Sequence, residues 1–344
     1  MKPRQVRIDP RLIVRLLNLA PLLFLAAVVC LFALLSNRFF STQNAINVLL
    51  QSAASSVMAV GMTFALLIGG IDLSIGAAMY VISVVIGMYL PSAPAWVCLL
   101  AALAMGGCFG ALNGVLIVKL RVAAFMTTIA MMFVDRGLGL YLSNTEGVSA
   151  ADQMSDLARA SILHVPTALV IAATAIGIAA LLLRATPFGR HVYAVGADRE
   201  GARKAGVNVE RVEFSLYVLC GAFAALGGFV MYFQVGFVSS SFGDGNEFLA
   251  VAAAVLGGTS LFGGRGGAFG PVLGAVLIQT VQNGLVMTST DPYMYSLVTA
   301  GCIFLAVLID TMRARAVARL EQRQIMARHV PQDATAPAAH LQAT

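Results

Sequence analysis

The chain has 344 residues, 59% of them hydrophobic and 11% charged, with a formal net charge of +6. Soluble domains carry about 25% charged residues, so this composition excludes a water-covered globule and points to one bundle of membrane helices. The pI of about 9.3 leaves nucleic acid or an anionic membrane surface as reasons for the basic excess, and the placement of Lys and Arg decides between them.

A membrane helix needs about 20 apolar residues. In chain order, candidate spans lie at 17–36, 46–70, 74–92, 95–118, 122–142, 162–183, 214–237, 247–262, 268–288 and 294–310. Lys2, Arg4, Arg7, Arg11 and Arg15 precede the first. It is too long for a signal h-region, and the following "SNRFFSTQ" offers no small-residue cleavage site, so it is expected to stay as an anchor. The second span runs into "LIGGIDLSIG", residues 67–76, where Gly69, Gly70, Asp72 and Ser74 interrupt an apolar stretch. Two glycines free backbone amides beside a carboxylate. Asp72 is therefore expected to accept amides at the break and cap a re-entering third span, with substrate contact as the alternative role.

The fourth span carries Gly106, Gly110 and Gly114, a four-residue spacing that stacks along one helix face and lets another backbone approach closely. In the fifth, Asp135 and Arg136 are adjacent and cannot face each other, so their partners are expected on other helices. Phe125, Phe133 and Tyr141 share a face there, read as apolar packing. Between the sixth and seventh spans lies "RATPFGRHVYAVGADREGARKAGVNVERVE", residues 184–213. Within it Asp198 is a good N-cap, Glu200 precedes Lys204 by four, and Gly206 is placed to end a short helix. Charge alone leaves two readings, a solvated basic loop or a docking helix for a cytoplasmic protein.

Glu247 opens the eighth span beside "SFGDGN", on the expected external side, to cap a helix or meet another protein. That span ends in "VLGGTSLFGG", residues 255–264. At an offset of 188, Gly257, Gly258, Leu261 and Gly264 fall on Gly69, Gly70, Leu73 and Gly76. Glycine-interrupted segments at matching places in two halves mark duplicated transporter folds. Gly266, Gly270 and Gly274 repeat the stepped row of the fourth span. Asn113, Gln279, Gln282 and Asn283 either tie helices together or line a pathway.

With the N-terminus inside, 19 of the 22 Lys and Arg residues fall on cytoplasmic segments, leaving only Arg38, Arg136 and Arg159. Topology thus explains the pI, and nucleic acid is not needed. The expected plan is a cytoplasmic basic segment at 1–15, a membrane domain at 16–312, and a basic, then Ala/Pro-rich, cytoplasmic tail at 313–344. Cys30, Cys98, Cys108, Cys220 and Cys302 lack metal or disulfide spacing and read as small packing residues. His164, His191, His329 and His340 are scattered, so neither a metal nor a catalytic site is expected. A GxxxxGK[ST] phosphate loop is absent, and "GGRGGAFG" does not supply one. ATP-driven transport would place the ATPase on another polypeptide.

"AVGMTFALLIGGIDLSIG", "TPFGRHVYAVGADREGARKAGV" and "AVLGGTSLFGG", in this order, resemble the permease subunits of ribose-type bacterial sugar ABC importers over residues 20–312. The resemblance implies an inner-membrane, all-α polytopic fold of about ten helices in two inverted repeats with broken, re-entrant segments. It also implies two permeases, alike or sister, two cytoplasmic ATPases holding ATP and Mg, and a periplasmic sugar-binding protein, with no cofactor on this chain. By the same resemblance, Gly196, Asp198, Arg199, Glu200, Arg203 and Gly206 fall on the ATPase-coupling loop. Gly69, Gly70, Asp72, Ser74, Glu247, Gly257 and Gly258 become pathway or re-entrant candidates. Leu249 and Pro271 stand where the family commonly has Asp and Thr. Two rivals remain: an ion-coupled carrier using Asp72, Asp135 and Glu247, and a permease of the related branched-chain amino-acid family.

Overall fold

The computed structural model describes residues 20–291, 293–301, 304, 308 and 311. The basic segment 1–15, the tail 313–344 and Cys302 lie outside them, as does much of the tenth expected span. Its described residues from 293 onward are helical.

The chain is built from helices joined by tight turns. These are α1 (Ala20–Leu35), α2 (Thr42–Leu67), α3 (Ile75–Tyr89), α4 (Ala95–Gly114), α5 (Ala124–Ser143), α6 (Asp152–Arg159) and α7 (Thr167–Ala185). After them come α8 (Pro187–Ala197), α9 (Arg199–Lys204), α10 (Val209–Val235), α11 (Asn246–Leu256) and α12 (Phe269–Met287). Helix α4 continues through a π-helical turn, Val115–Lys119. Among the described residues six helices are long and apolar enough to cross a membrane, counting α4 with its π turn as one; α1, α3 and α11 are shorter. The molecule is an all-α polytopic membrane protein.

Two expected spans are not full crossings. Helix α3 has 15 residues, about 22 Å at 1.5 Å per residue. Helix α11 has 11 residues, about 16 Å, or half of a hydrocarbon core of roughly 30 Å. Hydropathy runs 247–262 together, but the backbone ends the helix before Gly257 and continues as loop. The seventh span also begins earlier than expected, because Asn208 caps Arg211 N at 3.0 Å and starts α10 at Val209.

Helix α10, 27 residues long and therefore about 40 Å from end to end, is the hub, packing on α2, α3 and α4. Small residues permit this. A Cβ at Gly106 would overlap Ala225 Cβ and Gly221 O, one at Gly110 would overlap Tyr217 O, and one at Gly114 would come within 2.8 Å of the Phe214 ring. The stepped row thus faces α10 within the same chain. On its other sides, Gly61 of α2 meets Phe223, while Gly227 and Gly228 of α10 meet Met58 and Met79. The second row is broken. Gly270 and Gly274 lie against Gly257 and Ala253, but Gly266, with φ +155°, precedes α12 and is not on its face.

Helix α5 turns inside out relative to expectation. Its buried residues are Thr127, Thr128, Asp135, Gly139 and Ser143, whereas Phe125, Phe133 and Tyr141 are exposed, Tyr141 at 79%. Their apolar face is not packed within the chain and suits lipid. Likewise, of the cysteines among the described residues, Cys98 and Cys220 are buried and Cys30 and Cys108 are exposed. Helix α6 and two small two-stranded sheets, Val148–Ser149 with Phe237–Val238 and Ser161–Ile162 with Val165–Pro166, complete the fold. The first sheet follows the end of α10, so it lies at the opposite end of the bundle from α8 and α9.

Replacing Gly110 by Leu should break the α4–α10 contact. Overpacking costs about 1–3 kcal/mol or more, so thermal unfolding in detergent should fall by several degrees with loss of the monodisperse chromatographic peak. Gly137→Leu, where a Cβ meets nothing within 4 Å, should leave both unchanged.

Candidate functional site

The three motifs singled out in the sequence come together in space. Helix α2 ends by closing its own carbonyls: Gly69 N donates to Leu66 O at 2.9 Å and Gly70 N to Ala65 O at 3.0 Å, with Gly69 at φ +72°. This is a Schellman turn, which needs a residue without Cβ strain in the left-handed position. Helix α11 ends the same way: Gly258 N donates to Val255 O at 2.8 Å and Thr259 N to Ala254 O at 3.0 Å, with Gly258 at φ +89°. The matched turns pair Gly69 with Gly258, an offset of 189 rather than 188, because Gly257 occupies the place of Ile68. The internal echo therefore records two equivalent helix ends, shifted by one residue from the identity-based alignment.

The end of α2 and the loop after α11 meet α8. Gly264 N donates to Leu67 O at 2.9 Å. Any Cβ on Gly196 would overlap Leu67 O and lie 2.7 Å from Gly264 N, and one on Gly263 would lie 2.9 Å from Gly196 O. Tyr193 Oη donates to Gly266 O at 3.0 Å, and the Thr63 and Thr259 hydroxyls are 3.5 Å apart. Partial burial pushes the Tyr193 phenol above its usual pKa, with Arg184 pulling the other way, so it remains a donor at neutral pH. The result is a junction of backbone against backbone, joining α8 to the end of α2 and to the loop 263–266 that follows α11.

Helix α8 was not anticipated as a separate element. Thr186 caps Gly189 N at 3.3 Å with Pro187 at the first helical position, a start signal present in "TPFG". Beyond it, Asp198 Oδ1 accepts from Glu200 N at 3.1 Å and Gly201 N at 3.0 Å, capping α9. Gly206, φ +85°, closes α9 by donating to Arg203 O at 3.0 Å. Glu200 lies 3.8 Å from Arg203, not against Lys204 as its spacing had suggested. Arg199 reaches Glu213 at 2.7 Å and ties α9 to α10. Arg199, Arg203 and Glu213, with Arg121, Glu210 and Tyr217, border a polar cavity of about 480 Å3 beside Gly69 and Gly70.

Asp72 does not accept the glycine amides, which serve the end of α2. Buried at 1% exposure, it accepts Ser74 N at 3.0 Å and Ser74 Oγ at 2.6 Å. Asn113 of α4 donates from Nδ2 to Asp72 Oδ2 at 3.2 Å and to Ser74 Oγ at 2.9 Å. The carboxylate thus organises the turn into α3 and locks it to α4. Asn113 is a tie between helices.

Glu247 does not face outward. It is buried at 6% exposure, with its carboxylate against Gly76 near the start of α3, and the N-cap of α11 is Gly245, without a side-chain cap bond. The neighbouring loop is held by Arg136, which pairs with Asp244, donates to Ser240 O at 3.1 Å and Phe242 O at 2.9 Å, and lies over the Tyr80 ring at 4.8 Å. Asp135 is fully buried, and neither of its oxygens has a hydrogen-bond partner among the described residues.

With this geometry in view, the comparisons fall into line. The family described as "Branched-chain amino acid transport system / permease component" matches residues 44–308. The chain belongs to this family. Curated relatives cover nearly its whole length. The ribose import permease of Escherichia coli K12 is 36% identical over 302 residues, 86% of this chain and 93% of that protein. The autoinducer 2 import system permease LsrC of Photorhabdus laumondii is 34% identical over 305 residues, 87% and 91% respectively. The fructose import permease of Rhizobium meliloti is 33% identical over 294 residues, 80% of each chain. No solved structure matches.

Two substitutions test the permease's junction. In Gly196→Ala the new Cβ meets backbone that cannot rotate away, so the unfolding midpoint should drop by several degrees, while Gly177→Ala, in open space, should not move it. Asn113→Leu strips donors from a buried carboxylate, a loss of about 1–3 kcal/mol or more, and should lower the midpoint in the same assay.

Proposed function

We propose that this permease is the membrane-spanning subunit of an ATP-driven importer that takes a monosaccharide from a periplasmic binding protein into the cytoplasm. The observation that carries the reading is the near-full-length similarity to permeases named for import of ribose, autoinducer 2 and fructose. In this reading the domain has about ten membrane helices, the partial crossings α3 and α11 among them, in two inverted halves, with both termini in the cytoplasm of an inner-membrane protein. Clustering of Lys and Arg on alternate connections supports that orientation.

The 184–213 segment is the ATPase dock. Its support is mechanical: α8 lies against the end of α2 and the loop at 263–264 that follows α11, with no side chain between the backbones. A push on α8 therefore reaches α2 directly and α11 through that loop. ATP and Mg belong to the partner ATPase, and this chain carries out no catalytic step. A second permease, identical or a sister, supplies the other half of the pathway. The family description names branched-chain amino acids, which keeps an amino-acid substrate as the second reading.

The test is uptake into proteoliposomes holding the permease with its ATPase and binding protein, with D-ribose, D-fructose and L-leucine as labelled probes. Sugar uptake should require ATP and persist when an ionophore collapses ion gradients. Replacing 198–206 by a flexible Gly–Ser spacer should cut uptake at least tenfold without preventing insertion. Uptake that survives ATP removal but stops with the ionophore would overturn the proposal in favour of an ion-coupled carrier, and leucine uptake alone would favour the second reading.

A further inference from the structure

A second cavity, of about 540 Å3, lies away from the junction, between α2, α10, α11 and α12. Gln234 and Val235, the last residues of α10, and Asn246, the first of α11, border it, so it sits toward the end of the bundle distal to α8. Helix α2 runs from its rim inward, presenting Asn47, Gln51 and Ser55 at four-residue spacing, with Met58 one turn deeper. Helix α12 faces them with Gln279 and Gln282, three apart on one face. None of the candidates at the glycine breaks lines this space, and of Glu247, Asp72 and Asp135 not one reaches it.

The lining chemistry is selective. Its volume falls within the roughly 300–1,000 Å3 of small-molecule sites. Among the described residues every polar side chain on its walls is an amide or a hydroxyl, with no Asp, Glu, Lys, Arg or His. An amide offers a carbonyl acceptor and an NH2 donor side by side, which matches neighbouring hydroxyls, each both donor and acceptor. A zwitterionic amino acid would lose the hydration of two charges and find no counter-charge, a heavy cost in a membrane interior. Gln279 Nε2 donates to Gln51 Oε1 at 2.9 Å, joining α12 to α2 across the cavity. Gln282 makes no side-chain hydrogen bond among the described residues. The alanines, methionines and branched aliphatic side chains that complete the wall suit the apolar faces of a sugar ring.

We infer that this amide-lined cavity is the permease's own binding site for an uncharged polyhydroxylated solute, with Gln279 and Gln282 of α12 as specificity-determining contacts opposite Gln51 of α2. The inference rests on the sugar-import reading and adds to it a place and a means of discrimination. The Gln279–Gln51 bond lies on the exposed side of the cavity, where solute hydroxyls would take its place.

The test uses the same reconstituted importer with labelled D-ribose, D-fructose and L-leucine. Gln279→Leu and Gln282→Leu should each reduce sugar uptake at least tenfold. Gln282→Glu, nearly isosteric but charged, should do the same, and Gln282→Asn should keep a measurable fraction. ATP hydrolysis stimulated by the binding protein should stay within twofold of wild type in all four, which a merely structural role would not allow. Uptake within twofold of wild type in the leucine variants would overturn the inference while leaving sugar import intact, as would parallel loss of uptake and stimulated hydrolysis. A wild-type complex that imports leucine but neither sugar would overturn the functional reading itself.

Discussion

The last carbonyls of a helix find no partner within it, and in a chain built for lipid they are closed by its own following amides. This constraint organises the permease. Helices α2 and α11 stop at Gly69 and Gly258, each turning the next two amides back onto the last turn. Closure leaves the end of α2 compact and without bulky side chains, and that compactness lets α8 and the loop after α11 seat directly on it. The seating of α8 is a by-product of closing those carbonyls.

The same economy governs the hub. Hydrophobicity does not drive helices together in a solvent that is itself apolar, so close packing must do it. Glycine on α4 and α10 brings their backbones within touching distance at Gly106, Gly110 and Gly221. Polar side chains then fix register where glycine alone would slide. Asn113 on Asp72 and Ser74, Thr128 on the Ile71 carbonyl, and Tyr80 with Ser143 each bind one helix to another or to a turn.

Much of this was legible in the residues. Hydropathy placed α2, α4, α5, α7 and α12, because each is a continuous apolar run, and Asp198 marked the start of α9 because capping is a local property. Hydropathy failed at α11, where apolar loop follows apolar helix and only backbone geometry separates them. It also failed at α8, whose buried Val192 and Val195 are masked by Arg190 and His191, although Thr186–Pro187 announced it. The convergence of the three motifs was beyond reach, since nothing in a linear string says that Gly196 touches Leu67. The polar row Asn47, Gln51 and Ser55 passed unnoticed; its four-residue spacing within an apolar helix was the available clue.

The clamp at Arg136 has a consequence for how α11 is held. One guanidinium grips the carbonyls of Ser240 and Phe242 and the carboxylate of Asp244, while lying on the ring of Tyr80. The entry to α11 is thereby riveted to α5 and α3. Beyond its far end lie Gly258, Gly263, Gly264 and Gly266, all at positive φ, with Gly263 and Gly264 packed on the backbone of Leu67 and Gly196. The half-helix is therefore held at both ends, by a side-chain clamp at one and by backbone contact through a short loop at the other.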